Sequence, residues 1–499
     1  MSRNKIQKAK FQNSPVADAP DVAPAPSANP VPGEVISTAV SPSGAWITDK
    51  AWVCGVVGAL TVLFCAAWYK ATGALENGVF IGGFKLTSNR IDTLLLALVI
   101  STAAMLVVEV TRLWMWDRKN FFCIDPDIRA GRYSHFLVNC LVNFILNLCL
   151  LGLVILFFHT AGEYGYQNKS AFYQPWFRFL DLAWVTYLWA GLPYAILTLA
   201  LKYSPAADRR DTTSLLVKIL AWMGTSIALG WNKRPRFDDA DKKCARALLV
   251  KLFFTPIMTV FFADQFPHLV NNVGYMFGYL LNVIPEAIAS GARTHAQFNR
   301  DYFNVSIALI FSIDVALAWC GYVVSSRWVD NQTASAEPTM LGWMVCIICY
   351  PPFQMFLGLY YASPNEQDFM LFSNQGLVTL FTTMMLLSYF VYMAATLWFG
   401  VRFSNLTNRG IIRKGPFAFI RHPAYASKNF AWWCVMFPTV VYNATHTGLQ
   451  IAILQIIGLV MMTWVYYLRA LTEERHLSVD PAYREYCKQV RYRFIPGVI

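Results

Sequence analysis

Charged side chains are scarce in this chain. Asp, Glu, Lys and Arg make up 14% of its 499 residues while hydrophobic ones make up 56%, too little polar surface to clothe a soluble globule. Histidine is sparse as well: there are seven, with no H-x-x-x-H or H-E-x-x-H spacing, so a dedicated zinc site is not expected. A paired cysteine framework is also missing. The eleven cysteines are odd in number and lie mostly inside apolar runs, which argues against disulfides. Cys346 and Cys349 form an isolated C-x-x-C within one such run, and buried thiols of this kind behave as small hydrophobes. Acidic residues are outnumbered, 29 against 41 basic. The resulting charge of +12 does not imply nucleic acid, because the basic residues sit in alternate connections between apolar runs, as the positive-inside rule requires.

Apolar length is what the chain has in abundance. A spanning helix needs about 20 mostly apolar residues, and the candidates are 51–69, 91–114, 136–158, 179–201, 248–266, 303–325, 340–361, 374–400, 424–442 and 449–469. The expected fold is all-α, a polytopic transmembrane helix bundle of about ten spans with a C-terminal cytoplasmic cofactor-binding region. Arg3, Lys5, Lys8 and Lys10, then the basic stretches 112–132 and 202–251, place the N-terminus and alternate connections in the cytoplasm. The loop 402–421 falls on that side, and a final hairpin returns the C-terminus to it.

Residues 1–48, rich in Pro, Ala, Ser and Val, are expected to form a disordered cytoplasmic tail. Residues 49–370 form a transmembrane scaffold with a cytoplasmic segment at 203–247, and 371–499 a separate membrane domain. Within 203–247 the apolar piece 215–229 is expected to lie in the interface plane; an eleventh span is the other reading. Trp114, Trp116, Trp176, Trp328 and Trp343 fall at span ends, where interfacial aromatics gather. Glu109, Asp181, Asp264 with Gln265 and His268, and Asp314 fall in or at the rims of spans and should face the bundle interior. They line a polar substrate cavity or make interhelical hydrogen bonds. Pro351-Pro352 should bend the seventh span.

The last fifth of the chain carries the chemistry. Arg421-His422-Pro423 stands at the start of the ninth span, and proline favours the first helical position, so Arg421 and His422 precede a helix N-terminus with unpaired N–H groups. With Arg413, Lys414 and the turn Gly415-Pro416, this end suits a carboxylate or phosphate. Two antiparallel spans of roughly 30 Å each then bring Glu473-Glu474 back beside His422. Adjacent glutamates point about 100° apart on a helix, so only one can face a given pocket. Such a carboxylate accepts from ribose hydroxyls or an ammonium; the bland alternative is a solvated helix end paired with Arg469 or Arg475. The aromatic, basic tail 480–496 can fold over the pocket or rest on anionic lipid.

Gly415-Pro416-Phe417, Arg421-His422-Pro423-x-Tyr425, a span pair, Glu473-Glu474 and a closing Tyr483-x-x-Tyr486 with Phe494-Ile495-Pro496 together resemble the isoprenylcysteine carboxyl methyltransferase family over about residues 375–499. The stretches 399–407 and 427–433 are similar to a large bacterial branch with extra N-terminal spans. The resemblance implies S-adenosylmethionine as cofactor at the cytosolic face of a bacterial inner membrane. Lys414, Gly415, Pro416, Arg421, His422, Pro423, Tyr425, Glu473 and Glu474 would form the cofactor site, while Arg469 and Glu474 would serve catalysis, Arg469 orienting the substrate. Ser427 departs from the family, which usually has glycine there.

The expected function is therefore methyl transfer to a lipid-borne, prenylated or isoprenoid acceptor, with no metal. Two competitors remain. Tyr492-Arg493-Phe494-Ile495-Pro496 also resembles the ending of NADPH-dependent sterol-type ene reductases, and a non-catalytic lipid-binding or transport protein is the other. The R-H-P-x-Y and E-E pairing favours the methyltransferase.

Overall fold

A computed structural model describes residues 48–116, 123–161, 170–202, 212–229, 235–278, 295–354 and 372–498. The tail expected at 1–48 lies, apart from Thr48, outside them. Eight helices are long and apolar enough to cross a membrane: α1 (Trp52–Thr72), α2 (Arg90–Trp116), α3 (Tyr133–Thr160), α4 (Gln174–Ala200), α6 (Asp239–Gly278), α7 (His295–Val323), α9 (Gln375–Phe399) and α11 (Leu449–Leu477). The chain is an all-α polytopic bundle, as its apolar runs require. Among the described residues strand is confined to three two-residue pairs, one of them Ser335–Ala336 with Thr407–Asn408.

Two expected spans come out differently. Within the run 340–361 the described residues form α8 (Met340–Ile347) and a turn through Pro351-Pro352, and residues 355–361 lie outside them. Eight residues rise about 12 Å, too little to span by themselves, and α8 stops at Ile347, ahead of the proline pair expected to bend this run. The run at 424–442 does form a helix, α10 (Pro423–His446), but its polar Ser427, Lys428, Asn429 and Asn443 keep it out of the apolar eight. The piece expected in the interface plane falls in α5 (Thr212–Leu229), which is not one of the eight either.

Burial grades from one side of the bundle to the other. The most apolar window of α7 is 61% buried and that of α6 is 50%, whereas α3 and α4 reach 6% and 11%. α6 and α7 therefore form the centre, and α3 and α4 present side chains such as Leu153 and Trp189 outward, where lipid rather than protein is the natural solvent. One continuous core joins Cys54, Leu98, Phe254, Leu317, Met393 and Ala431, so packing crosses the sequence position 370 without a break.

Polar groups follow the same grading. Glu109 and Asp314 are buried; Glu109 accepts from Arg112 Nε at 2.9 Å on its own helix, and Asp314 from Thr396 Oγ1 at 2.5 Å on α9. Asp181, Asp264 and His268 are exposed, contrary to the expectation that they face the bundle interior. Trp176 is likewise not a rim residue: it is buried against Phe158 and Phe179.

The loop 400–410 is nailed to the scaffold, which fixes the site described next. Gly321 touches the Phe403 carbonyl where any Cβ would collide. Arg402 Nη1 donates to the Asp330 and Arg409 carbonyls at 2.5 and 3.0 Å, and Arg409 Nη1 to that of Gly321. These are charge-assisted bonds to backbone, the stronger kind.

Candidate functional site

α10 starts at Pro423, which has no N–H to satisfy, with His422 in the preceding capping position. α10 and α11 turn back on each other at Gly448, and polar ties such as Asn443 Nδ2 to Gln455 Oε1 at 3.1 Å hold the hairpin together. The return path delivers both glutamates to His422. Their two side chains then do different things.

Glu474 is enclosed by cations. Its Oε1 lies 3.1 Å from His422 Nε2 and 3.2 Å from Arg421 Nη1, and its Oε2 accepts from Arg493 Nε at 2.9 Å. Glu473 instead lines a cavity, with its Oε2 accepting from Tyr425 OH at 2.5 Å. The adjacent residues diverge as a helical step of about 100° demands. Neither glutamate pairs with Arg469 or Arg475; Arg475 turns to Glu337 at 3.2 Å.

Arg469 is buried, and among the described residues it forms no ion pair. Its Nη2 donates to Asn405 Oδ1 at 2.7 Å, and its guanidinium lies 4.8, 5.6 and 5.8 Å from the ring centres of Tyr425, Tyr350 and Tyr466. A guanidinium among aromatic faces keeps its charge without a carboxylate. It therefore reaches the cavity as an uncancelled cation. The cavity, about 70 Å³ as the side chains stand, is lined by Arg421, His422, Tyr425, Arg469 and Glu473 and by aromatic rings including Phe399 and Phe403.

The tail closes this site. Arg421 N–H donates to the Tyr492 carbonyl at 2.9 Å and His422 N–H to that of Arg493 at 3.0 Å, while the Phe494 ring sits 5.8 Å from the His422 ring. These bonds tie the tail to the two residues ahead of α10; in its first turn the N–H groups of Tyr425 and Ala426 bond the His422 carbonyl at 3.2 and 3.0 Å. Tyr486, on α12 (Pro481–Gln489), donates to the Phe417 carbonyl at 2.7 Å and locks the tail to the Gly415-Pro416 turn.

The remaining expected residues support the site from outside. Lys414 is exposed, and neither it nor Gly415 or Pro416 lines the cavity. Gly415 has φ +64° and packs against the Trp398 indole where a Cβ would collide, so this turn admits only glycine and sets Phe417 in the wall. Arg413 pairs with Asp49 at 2.6 Å. Ser427 faces α9, accepting at its carbonyl from Ser388 Oγ at 2.7 Å; the departure from glycine does not touch the cavity. Sequence reading missed Tyr350, Asn405 and Lys428. Lys428 carried a signal, a lone cation in an apolar run, whereas Asn405 and Tyr350 come from loops that only tertiary packing places.

Next to the cavity, across Arg469, Glu473 and His476 on one face of α11, Glu337 anchors the same helix end. His476 Nδ1 lies 3.5 Å from its Oε2, and Thr339 donates to it through both hydroxyl and N–H. Burial opposes its ionisation, but the hydrogen bonds from His476 and Thr339 outweigh burial and hold the carboxyl down at about 2.

Residues 327–490 match a family model described as "Protein of unknown function (DUF1295)". That family is related to steroid 5-alpha-reductase-like and isoprenylcysteine-methyltransferase-like membrane proteins. The matched stretch takes in Glu337, Asn405, His422, Arg469 and both glutamates, and it begins upstream of the domain boundary expected at 371. Phe494 lies beyond it. No curated protein and no solved structure matches the chain.

Proposed function

We propose that this protein is an integral membrane methyltransferase that uses S-adenosylmethionine and acts on a membrane-borne acceptor. The observation that carries the reading is the cavity at the ends of α10 and α11, where Glu473 and Arg469 face one space between aromatic walls. Its donor set suits the cofactor: Arg421 and Arg469 for a carboxylate, Glu473 for ribose hydroxyls or an ammonium, and Phe399, Phe403 and Tyr425 for a purine. Bound S-adenosylmethionine would supply an already activated methyl group, so the protein's part is positioning and exclusion of water. Ligand pockets usually measure about 300–1,000 Å³, so the closed cavity must widen. The tail from Tyr492 to Phe494 is the element whose lifting would widen it.

The basic residues Arg402, Arg409, Arg413, Lys414 and Arg421 in the loop ahead of α10 support a cytoplasmic setting for this end of the hairpin. A nicotinamide reading stays as the rival because the Tyr492–Pro496 tail lies over His422 in either case. Calorimetric titration of the nanodisc-embedded protein with S-adenosylmethionine and, separately, NADPH decides between them. Binding of the first that weakens in Glu473→Gln is expected. NADPH binding with no response to S-adenosylmethionine would overturn the proposal.

A further inference from the structure

Between α6 and α7 lies a second space that the cofactor reading leaves unused. This chamber, about 310 Å³, is lined by Asp264, Gln265 and Asp314 among apolar side chains such as Phe261, Phe311 and Val315. Tyr350, Tyr392, Phe403, Asn405 and Lys428 line both it and the Glu473 cavity. The two spaces thus adjoin across a shared wall. Along α6 the chamber follows Met258 to Gln265, roughly 10 Å of helix.

Its polar groups have an unequal charge. Asp314 is 4% exposed and has the Thr396 hydroxyl on Oδ1; Asp264, exposed at the outer end, accepts from Gln265 Nε2 at 2.7 Å. Against these two carboxylates stands Lys428, whose ammonium lies 5.4 Å from the Tyr392 ring centre and makes no ion pair among the described residues. Both aspartates belong to helices apolar enough to span a membrane, where ionisable groups are costly and are kept for cavities and partners. The neighbouring cavity has the opposite balance, with Arg421, Lys428 and Arg469 against Glu473.

We propose that the Asp264–Asp314 chamber is the acceptor site, and that it takes an amphiphile with an apolar body and a hydrogen-bond-donating head, such as a neutral amine, hydroxyl or phenol, in preference to a free carboxylate. A carboxylate wall only accepts hydrogen bonds, so a donor head gains a partner there while a carboxylate head meets like charge in a low-dielectric setting. Apolar side chains along α6 and α7 cover the body of the molecule. The shared wall puts the head next to the cofactor cavity. The word acceptor rests on the methyl-transfer reading; the head-group selectivity of the chamber does not.

Full-length protein in phosphatidylcholine nanodiscs is photolabelled with three diazirine-bearing alkyl probes of equal chain length, headed by an amine, an alcohol or a carboxylate. Labelled peptides are mapped by mass spectrometry, and S-adenosylmethionine binding is measured on the same samples. The amine and alcohol probes should label segments 258–265 and 307–318 at least about fivefold more than the carboxylate probe. Val315→Trp, which fills the chamber, should remove that labelling and leave cofactor binding intact. Asp264→Asn, at an exposed position, should narrow the preference without unfolding the protein. Equal labelling by all three heads, or labelling indifferent to Val315→Trp, overturns the chamber while cofactor binding persists. Selective labelling without S-adenosylmethionine binding supports the chamber and removes methyl transfer instead.

Discussion

The two adjoining cavities are built from the same wall and opposite charge. At the helix ends, Arg421, His422, Arg493 and Glu474 bind one another as a clasp, while Glu473, Arg469 and Lys428 line the space outside that clasp. In the chamber, Asp314 is met by the Thr396 and Tyr392 hydroxyls and Lys428 by the Tyr392 ring, with no cation or carboxylate in contact among the described residues. The comparison teaches that the kind of partner a charge has, more than its presence in a motif, separates structure from site. A carboxylate saturated by charged partners fixes chain segments; one met only by hydroxyls can still receive a ligand.

Removing the clasp should have the largest effect. Glu474→Ala leaves the Arg421 and Arg493 guanidiniums at the helix ends without their shared carboxylate, and loss of one member of a buried ionic group costs about 3 kcal/mol; denaturant unfolding in detergent measures it. A loss no larger than that of an exposed charge would erase the distinction between the glutamates. Next comes the shared wall itself, because Gly321 seats Phe403, which lines both cavities. Gly321→Ala should cost about 2 kcal/mol through overpacking and weaken both cofactor binding and chamber labelling. Glu473→Gln separates site from structure: cofactor affinity should fall about tenfold, or about 1.4 kcal/mol, with stability nearly unchanged by titration calorimetry and thermal unfolding together.

A pH series tests Glu337, which lies beside the Arg469–Glu473 face of α11 without lining either cavity. Glu337 has its carboxyl lowered from 4.5 to about 2 on folding, so between those values the unfolded chain binds more protons. Its stabilisation is complete above about pH 4.5 and is lost as pH falls towards 2. Glu337→Gln should flatten the acid limb of a stability–pH curve and leave cofactor affinity at neutral pH alone. The smallest effect is expected from Lys414→Ala: within about 0.5 kcal/mol for an exposed side chain, and no change in binding. Weakened cofactor binding there would extend the site onto the loop surface.

Legibility differed by region for physical reasons. Long apolar helices were readable because membrane crossing imposes one length and one composition, and α1 through α4 fall within a few residues of their expected bounds. α8 was not, since it stops at Ile347 in a turn within a run whose hydropathy alone suggested a span. The meeting of His422 with Glu473 and Glu474 was readable too, being a there-and-back path. Which glutamate faced the cavity was not, because that depends on where Arg493 arrives from a tail with no strong pattern of its own.

The sequence by itself determined that this is a helical membrane protein and that His422, Glu473 and Glu474 meet at the ends of α10 and α11. Apolar run length and hairpin geometry are local properties, so they survive without coordinates. Tertiary structure alone decided that the tail pairs with the residues ahead of α10, that Arg469 stands in a tyrosine cage, and that Asp264 and Asp314 line a chamber sharing a wall with the Glu473 cavity. Each of these joins residues far apart in the chain through packing of α6, α7 and the loop 400–410, and no periodicity along the sequence encodes such a meeting.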